Sequence, residues 1–190
     1  FDLDLTYGRL KSFSSGILGH RTQLSLSRVF KRAPTRKNVG ENQQWQVGLG
    51  FSIQPPNRYY MKSQSNVGIL PVMQESSIDY FINSKTYFTG NAQTTISGGV
   101  AGYAVGLLGL GHEIDLGELW RLSLEAHIGA AGGGGVNVGK GLLGGARIEA
   151  DYVLNSDSSL SLGLGILRSF DGGLNVPIIQ LGFKKRFKTH

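Results

Sequence analysis

The chain contains no cysteine. That excludes disulfides, thiolate metal centres and cysteine nucleophiles, and leaves the redox compartment open. Charge is scarce too: 17% of the 190 residues are Asp, Glu, Lys or Arg, against roughly 25% in an ordinary soluble domain. No uninterrupted run of ~20 strongly apolar residues occurs, so an ordinary spanning helix is not expected. A charged segment leading into an apolar core is also missing from the start. Any signal peptide is therefore expected to have been removed or to lie outside this sequence. His20, His112, His127 and His190 are dispersed rather than set at ligand spacing, so neither a metal site nor a cofactor is expected.

Glycine is what the chain has in excess. Its 29 glycines amount to about 15%, roughly twice the usual share. They follow no three-residue period, which excludes collagen, and a 40% hydrophobic content excludes a disordered chain. The length suits a single domain over 1–190. A net charge of +6, from 19 basic and 13 acidic residues, calls for an anionic partner. Lipid phosphate fits; nucleic acid does not, because no aromatic-basic binding motif is present.

The clearest signal is a period of two. Trp45, Val47, Leu49, Phe51 and Ile53 share one face against Gln44, Gln46, Gly48, Gly50, Ser52 and Gln54, as a half-apolar strand requires. The segment has the length of a tilted membrane-spanning strand. The pattern recurs at Phe1–Tyr7, Trp120–Ala130, Gly144–Leu154, Leu160–Ile166 and Ile179–Phe187, and more weakly around Leu24 and Leu26. Short polar turns at Asp115–Glu118 and Asn155–Ser158 alternate with longer connections at Gly132–Gly141 and Asp171–Gly173. Short turns and long loops at opposite strand ends suit a sheet whose two ends face different compartments.

Two regions depart from this pattern. Asn57 to Phe88 lacks sustained alternation and reads as a long loop, a plug or one irregular hairpin, with a short helix after Pro71. In Ile96–Gly111, Gly98, Gly102 and Gly106 recur every four residues, a helix-packing signature in membranes. Glycine is costly inside helices, so two short strands are favoured there over a helix.

Opposite the apolar face, the strands carry Gly, Ser and Gln mixed with charge, and aromatics sit near strand ends. A soluble sandwich would turn its charged face to water, whereas a small barrel needs small residues inside and an aromatic girdle outside. The predicted fold is all-β: an antiparallel transmembrane β-barrel of eight or ten strands, with an irregular loop or plug around 55–90. From Ala146 through Asn155-Ser156-Asp157-Ser158 to Gly165, and again from Ile179 to Phe187, the sequence resembles small bacterial outer-membrane β-barrels of the OmpA/OmpW-like kind. These stretches correspond to the penultimate hairpin and the closing strand. The resemblance implies a place in the Gram-negative cell envelope and an assembly role for a terminal aromatic, here Phe187.

On this reading Trp45, Val47, Leu49, Phe51, Leu122, Leu124, Ile148, Leu162 and Leu164 face lipid. Arg121, Glu125, Arg147, Glu149 and Asp151 form an interior charge network, since buried charges require partners. Ser123, Glu125 and His127 share a strand face and are the weak catalytic set of a lipid-modifying hydrolase. Gly132–Gly135 with Lys140 fails as a phosphate loop, because Gly139-Lys140 is followed by Gly141 and not by a hydroxyl residue. Arg28, Lys31, Arg32, Arg36 and Lys37 are the residues suited to an anionic surface such as lipopolysaccharide. Lys184-Lys185-Arg186 is expected to mark the membrane–water boundary of the last strand. The favoured function is a non-enzymatic structural, anchoring or accessory barrel of the bacterial outer membrane, with membrane lipid and envelope proteins as partners. The alternatives are a narrow porin-like pore, a lipid-modifying hydrolase and a soluble β-sandwich binding module.

Overall fold

The computed structural model describes residues 2–11, 18–27, 44–55, 70–100 and 102–188. Among the described residues ten strands follow one another: β1 (Asp2–Lys11), β2 (Leu18–Ser27), β3 (Gln44–Ile53), β4 (Val72–Phe81), β5 (Thr86–Ser97), β6 (Ala104–Asp115), β7 (Trp120–Gly132), β8 (Leu142–Asn155), β9 (Ser158–Ser169) and β10 (Asn175–Lys188). Strands β3 to β10 pair antiparallel with their sequence neighbours, and β10 closes on β3 to make an eight-stranded barrel. The alternating runs near the start form β1 and β2, which pair with each other in a separate two-stranded sheet. The chain divides into two compact units at this point, residues 1–40 and 41–190.

Closure and tilt follow from the register. Cross-strand partners run from Ile114 on β6 through Leu122, Ala150, Leu162, Leu181, Phe51, Gln74 and Thr94, and return to β6 at Ala104. One circuit therefore climbs ten residues along β6. At about 3.3 Å per residue, across eight strands about 4.8 Å apart, this tilts the strands by about 40°. Eight strands leave an interior that side chains can fill.

The two ends of the barrel differ. Residues 82–85, 116–119 and 156–157 form short turns at one end, where Gln44 and Lys188 also lie. In the first of these turns the Asn83 side-chain oxygen accepts from the N–H groups of Lys85 and Thr86 at 2.9 and 2.7 Å. The connections at the other end are longer: 54–71, 98–103, 133–141 and 170–174.

The structure corrects the expected irregular segment. Residues 72–81 and 86–97 are barrel strands β4 and β5, with no helix after Pro71; residues 56–69 lie outside the described residues. The strand geometry of β4 alternates while its polarity does not. Gln74 and Ser76 point outward, Glu75 and Asp79 point inward, and period two disappears from the hydropathy. The Gly98/Gly102/Gly106 segment is two strands with a turn between them. Gly98 and Gly102 adopt φ of 103° and 77° at that turn, a region open to glycine at no steric cost, and Gly106 lies within β6.

Candidate functional site: the filled lumen

Outside, the barrel wall is apolar. Leu49, Phe51, Leu124, Ile148, Leu162 and Leu164 are exposed by 43–59%, and Val47 by 38%. Trp45 and Leu122 are half-exposed on the same outer face. Trp45 packs against Tyr80 with the rings tilted by 53° and their centroids 4.8 Å apart, and Trp120 meets Tyr152 edge-on at 5.1 Å. With the strand tilt taken into account, these four rings and Phe187 lie at a common height near the short-turn end, as an aromatic girdle requires. The side chains of Arg28, Lys31, Arg32, Arg36 and Lys37 lie outside the described residues.

Inside, the lumen is filled in two layers. Beneath the long connections lies an apolar layer. Val100 and Tyr103 come from 98–103, Val136 and Val138 from 133–141, and Leu174 from 170–174; they pack on Met73, Val105, Leu107, Leu143, Leu167, Val176 and Ile178. Polar contacts tie two of these connections together. The Lys140 N–H donates to Asp171 Oδ2 at 2.6 Å, and Ser169 Oγ lies 2.6 Å from Asp171 Oδ1 and 3.1 Å from the Val138 carbonyl. The Ser169 hydroxyl first, and the Lys140 amide second, hold the exposed Asp171 carboxyl below its usual range.

Toward the short turns the filling is ionic. Arg147, on β8, reaches Glu75 on β4 at 2.5 Å, Glu125 on β7 at 2.6 Å and Glu149 at 3.4 Å. Its guanidinium also donates to Gln180 on β10. Lys184, also on β10, pairs with Glu149 and lies 3.4 Å from Asp151. Tyr87, on β5, crosses over β6 to donate to Glu125 on β7 at 2.6 Å. That crossing needs glycine at 111, where a Cβ would sit 2.2 Å from the Tyr87 ring. Asn91 donates to Glu75. Nearest the turns, Arg186 bonds Glu113 at 2.5 Å and Gln46 at 2.8 Å while stacking on Phe81 at 4.4 Å, and Gln46 donates to Asp79.

Of the interior residues expected from sequence, Glu125, Arg147, Glu149 and Asp151 are buried together in this network, and Arg121 is half-exposed, registered with Asp151. The weak catalytic set faces the same lumen. Ser123, Glu125 and His127 are 0%, 5% and 7% exposed. His127 Nε2 lies 3.2 Å from Glu125, whose carboxylate also meets Arg147 and Tyr87.

The basic run of the last strand is divided between the two faces of the wall. Lys184 and Arg186 point inward, with side chains 4% and 14% exposed, and Lys185 alone of the three reaches the outer surface, to meet Asp157 at 2.7 Å. A strand cannot place three consecutive side chains on one face. Glu75, Asp79, Tyr87, Asn91, Glu113 and Gln180 were not anticipated from sequence. The signal that could have found them is strand register, which brings β4 and β10 residues to the depth of Arg147.

An antiparallel closed wall with an apolar belt and a filled lumen defines a transmembrane β-barrel. No protein-family model matches the chain, and no curated protein matches it by sequence. Among solved structures the fold is similar to two small outer-membrane barrels. One is Neisserial surface protein A, with TM-score 0.51 and 11% identity over 80% of this chain and 100% of that one. The other is Ail, the attachment invasion locus protein of Yersinia pestis, solved with the heparin analogue sucrose octasulfate, with TM-score 0.50 and 14% identity over 77% of this chain and 99% of that one.

Proposed function

We propose that the chain is an integral barrel of the bacterial outer membrane with a structural, anchoring or accessory role in an envelope assembly, and that it is neither a catalyst nor an open pore. The filled lumen carries this reading. A pore needs a continuous aqueous path, and here an apolar layer from three connections lies above a layer in which Arg147 and Lys184 are engaged by four carboxylates. A hydrolase acting on lipid needs its nucleophile at the lipid-facing surface, and Ser123 is fully buried in the lumen. Membrane lipid is then the partner of the outer wall. Lipopolysaccharide phosphate is the partner proposed for Arg28, Lys31, Arg32, Arg36 and Lys37.

Gel mobility of detergent-extracted protein, with and without boiling, tests the barrel, and planar-bilayer recording tests the plug. The expected results are a boiling-dependent shift and no stable open-channel conductance. Extraction into water with no shift would favour a soluble sandwich. A steady conductance altered by neutralising Arg121 or Arg147 would establish a pore.

A further inference from the structure

Among the described side chains the outer wall carries a single arginine, Arg168 on β9, and it is exposed. Its cross-strand partners are Gly144 on β8, which has no side chain, and Asn175 on β10, which has no charge. The guanidinium makes no ion pair with any described carboxylate. The carboxylate nearest in sequence, Asp171, is engaged by the Ser169 hydroxyl and the Lys140 amide. On the β8 side the Phe170 ring covers the Gly144 position, where a Cβ would sit 2.9 Å from it.

Depth gives this cation a meaning. The climb of one circuit shifts equal heights by about 1.25 residues per strand. On that scale Arg168 stands about 24 Å from the aromatic girdle at the short-turn end, close to the whole height of the ~25 Å apolar band of such barrels. It therefore lies at the other edge of the band, where lipid headgroups begin. Beneath it on the same face of β9 come Ile166 and Leu164, both exposed, and they open onto an outward groove of about 680 Å³. Ile148 and Leu124 continue the walls, and Ala146 and Ala126, which are cross-strand partners, form the floor. These walls descend from about 19 to about 8 Å above the girdle. At the foot of the groove Thr86 and His112 satisfy each other at 3.1 Å.

We infer that Arg168 and the groove beneath it form a binding site for a phosphorylated lipid, with the phosphate on the guanidinium and an acyl chain over Ala146 and Ala126. Short turns lie on the periplasmic side of such barrels. The leaflet at the Arg168 end is then the outer one, and the lipid is the lipid A part of lipopolysaccharide. Charge and shape select it together. The fixed fork of N–H donors on arginine matches phosphate oxygens in pairs, and no carboxylate on the flanking strands competes. An acylated phosphate also presents its charge and its chain in the vertical order in which the wall presents Arg168 and the groove. The groove is continuous with Leu124, Ile148 and Leu164 of the lipid-facing belt.

This rests on the membrane reading, and the test separates the two. The full chain is folded in dodecylmaltoside micelles and its fold is checked by the boiling shift. It is then titrated with lipid A, with lipid A stripped of its phosphates, and with phosphatidylglycerol, and native mass spectrometry counts the bound lipid. Lipid A should bind at least about tenfold more tightly than its dephosphorylated form, on the scale of charge-assisted hydrogen bonds. Arg168→Gln should erase that difference, and Arg168→Lys should keep only part of it. Ala146→Leu raises the groove floor and leaves the charge, so it should weaken both forms alike. Lys185→Gln, at the opposite edge of the band, should change nothing. The site falls if the folded wild type does not favour the phosphorylated form, or if Arg168→Gln still does; the groove falls if Ala146→Leu binds as the wild type. Phosphatidylglycerol bound as tightly as lipid A would overturn the assignment to lipid A. If no variant gives the boiling shift, the membrane reading falls as well.

Discussion

Replacing Arg147 with Met removes one cation from the centre of the lumen and keeps most of its length. Arg147 serves Glu75, Glu125 and Glu149 directly, and the carboxylate side chains are at most 2% exposed. Lys184 cannot substitute for it, because its ammonium is already engaged by Glu149 and Asp151. Breaking a buried pair from one side typically costs about 3–5 kcal/mol, mostly through the charge left without a partner. With Glu75 and Glu125 both stranded, Arg147→Met should fall in the upper part of that range. Adding Glu75→Gln and Glu125→Gln should restore most of the loss, since neutral replacements remove the uncompensated charge. Urea unfolding in lipid vesicles, read by tryptophan emission and by unboiled gel mobility, gives the free energies. Lys185→Met is the reference, because its pair with Asp157 is 41–45% exposed and should contribute at most about 1 kcal/mol. If Arg147→Met costs no more than Lys185→Met, the ionic layer does not hold the lumen together.

Leu124 is 47% exposed at mid-strand, and Leu124→Arg should cost about 2–4 kcal/mol in a bilayer; unfolding in lipid measures it, and an unchanged free energy would contradict a lipid-facing position. Gly111→Val should destabilise by about 1–3 kcal/mol through overpacking against Tyr87, with partial rescue by Tyr87→Ala in the double variant. At the long-loop end, Asp171 is held below its ordinary value of 3.8, so the unfolded loop binds the proton more readily. The clamp is then fully present above that ordinary value and is lost as pH falls through the depressed folded one. Amide exchange in 133–141 should lose protection in that acidic window, and Asp171→Asn should abolish the pH dependence.

The outer face was legible in the sequence wherever one face of a strand is apolar and the other is not. Trp45 to Ile53, Trp120 to Ala130 and Leu160 to Ile166 meet that condition, and their strands were read correctly. In β4 the inward residues mix apolar Met73 and Phe81 with charged Glu75 and Asp79, and the outward ones include Gln74 and Ser76, so the same backbone geometry left no hydropathy trace. The run Phe1–Tyr7 shows the converse: it alternates, and its described part lies in β1 (Asp2–Lys11), yet the pairing with β2 depends on register, which local pattern does not carry. Lumen partners were half legible for a related reason. Arg147, Glu149 and Asp151 alternate along one strand, but Glu75 lies 72 residues from Arg147 and reaches it only because barrel closure and tilt bring β4 and β8 to one depth.

The two layers of the lumen follow from where their side chains originate. Strand side chains that point inward meet groups on every other strand, so a charge placed there finds counter-charges fixed by register; Arg147 bridges β4, β7 and β10 in this way. Connection residues enter from one end and lack that fixed register. They fill space best with apolar side chains, which need shape but no particular partner. Val100, Val136, Val138 and Leu174 do this at the long-loop end. The short turns, at most four residues each, are too brief to fold back into the lumen, so the ionic layer lies toward that end and must satisfy itself from strand residues alone. A charge introduced into the apolar layer, as in Val136→Glu, would therefore meet no register-matched cation, whereas the same charge at Glu125 is held by Arg147.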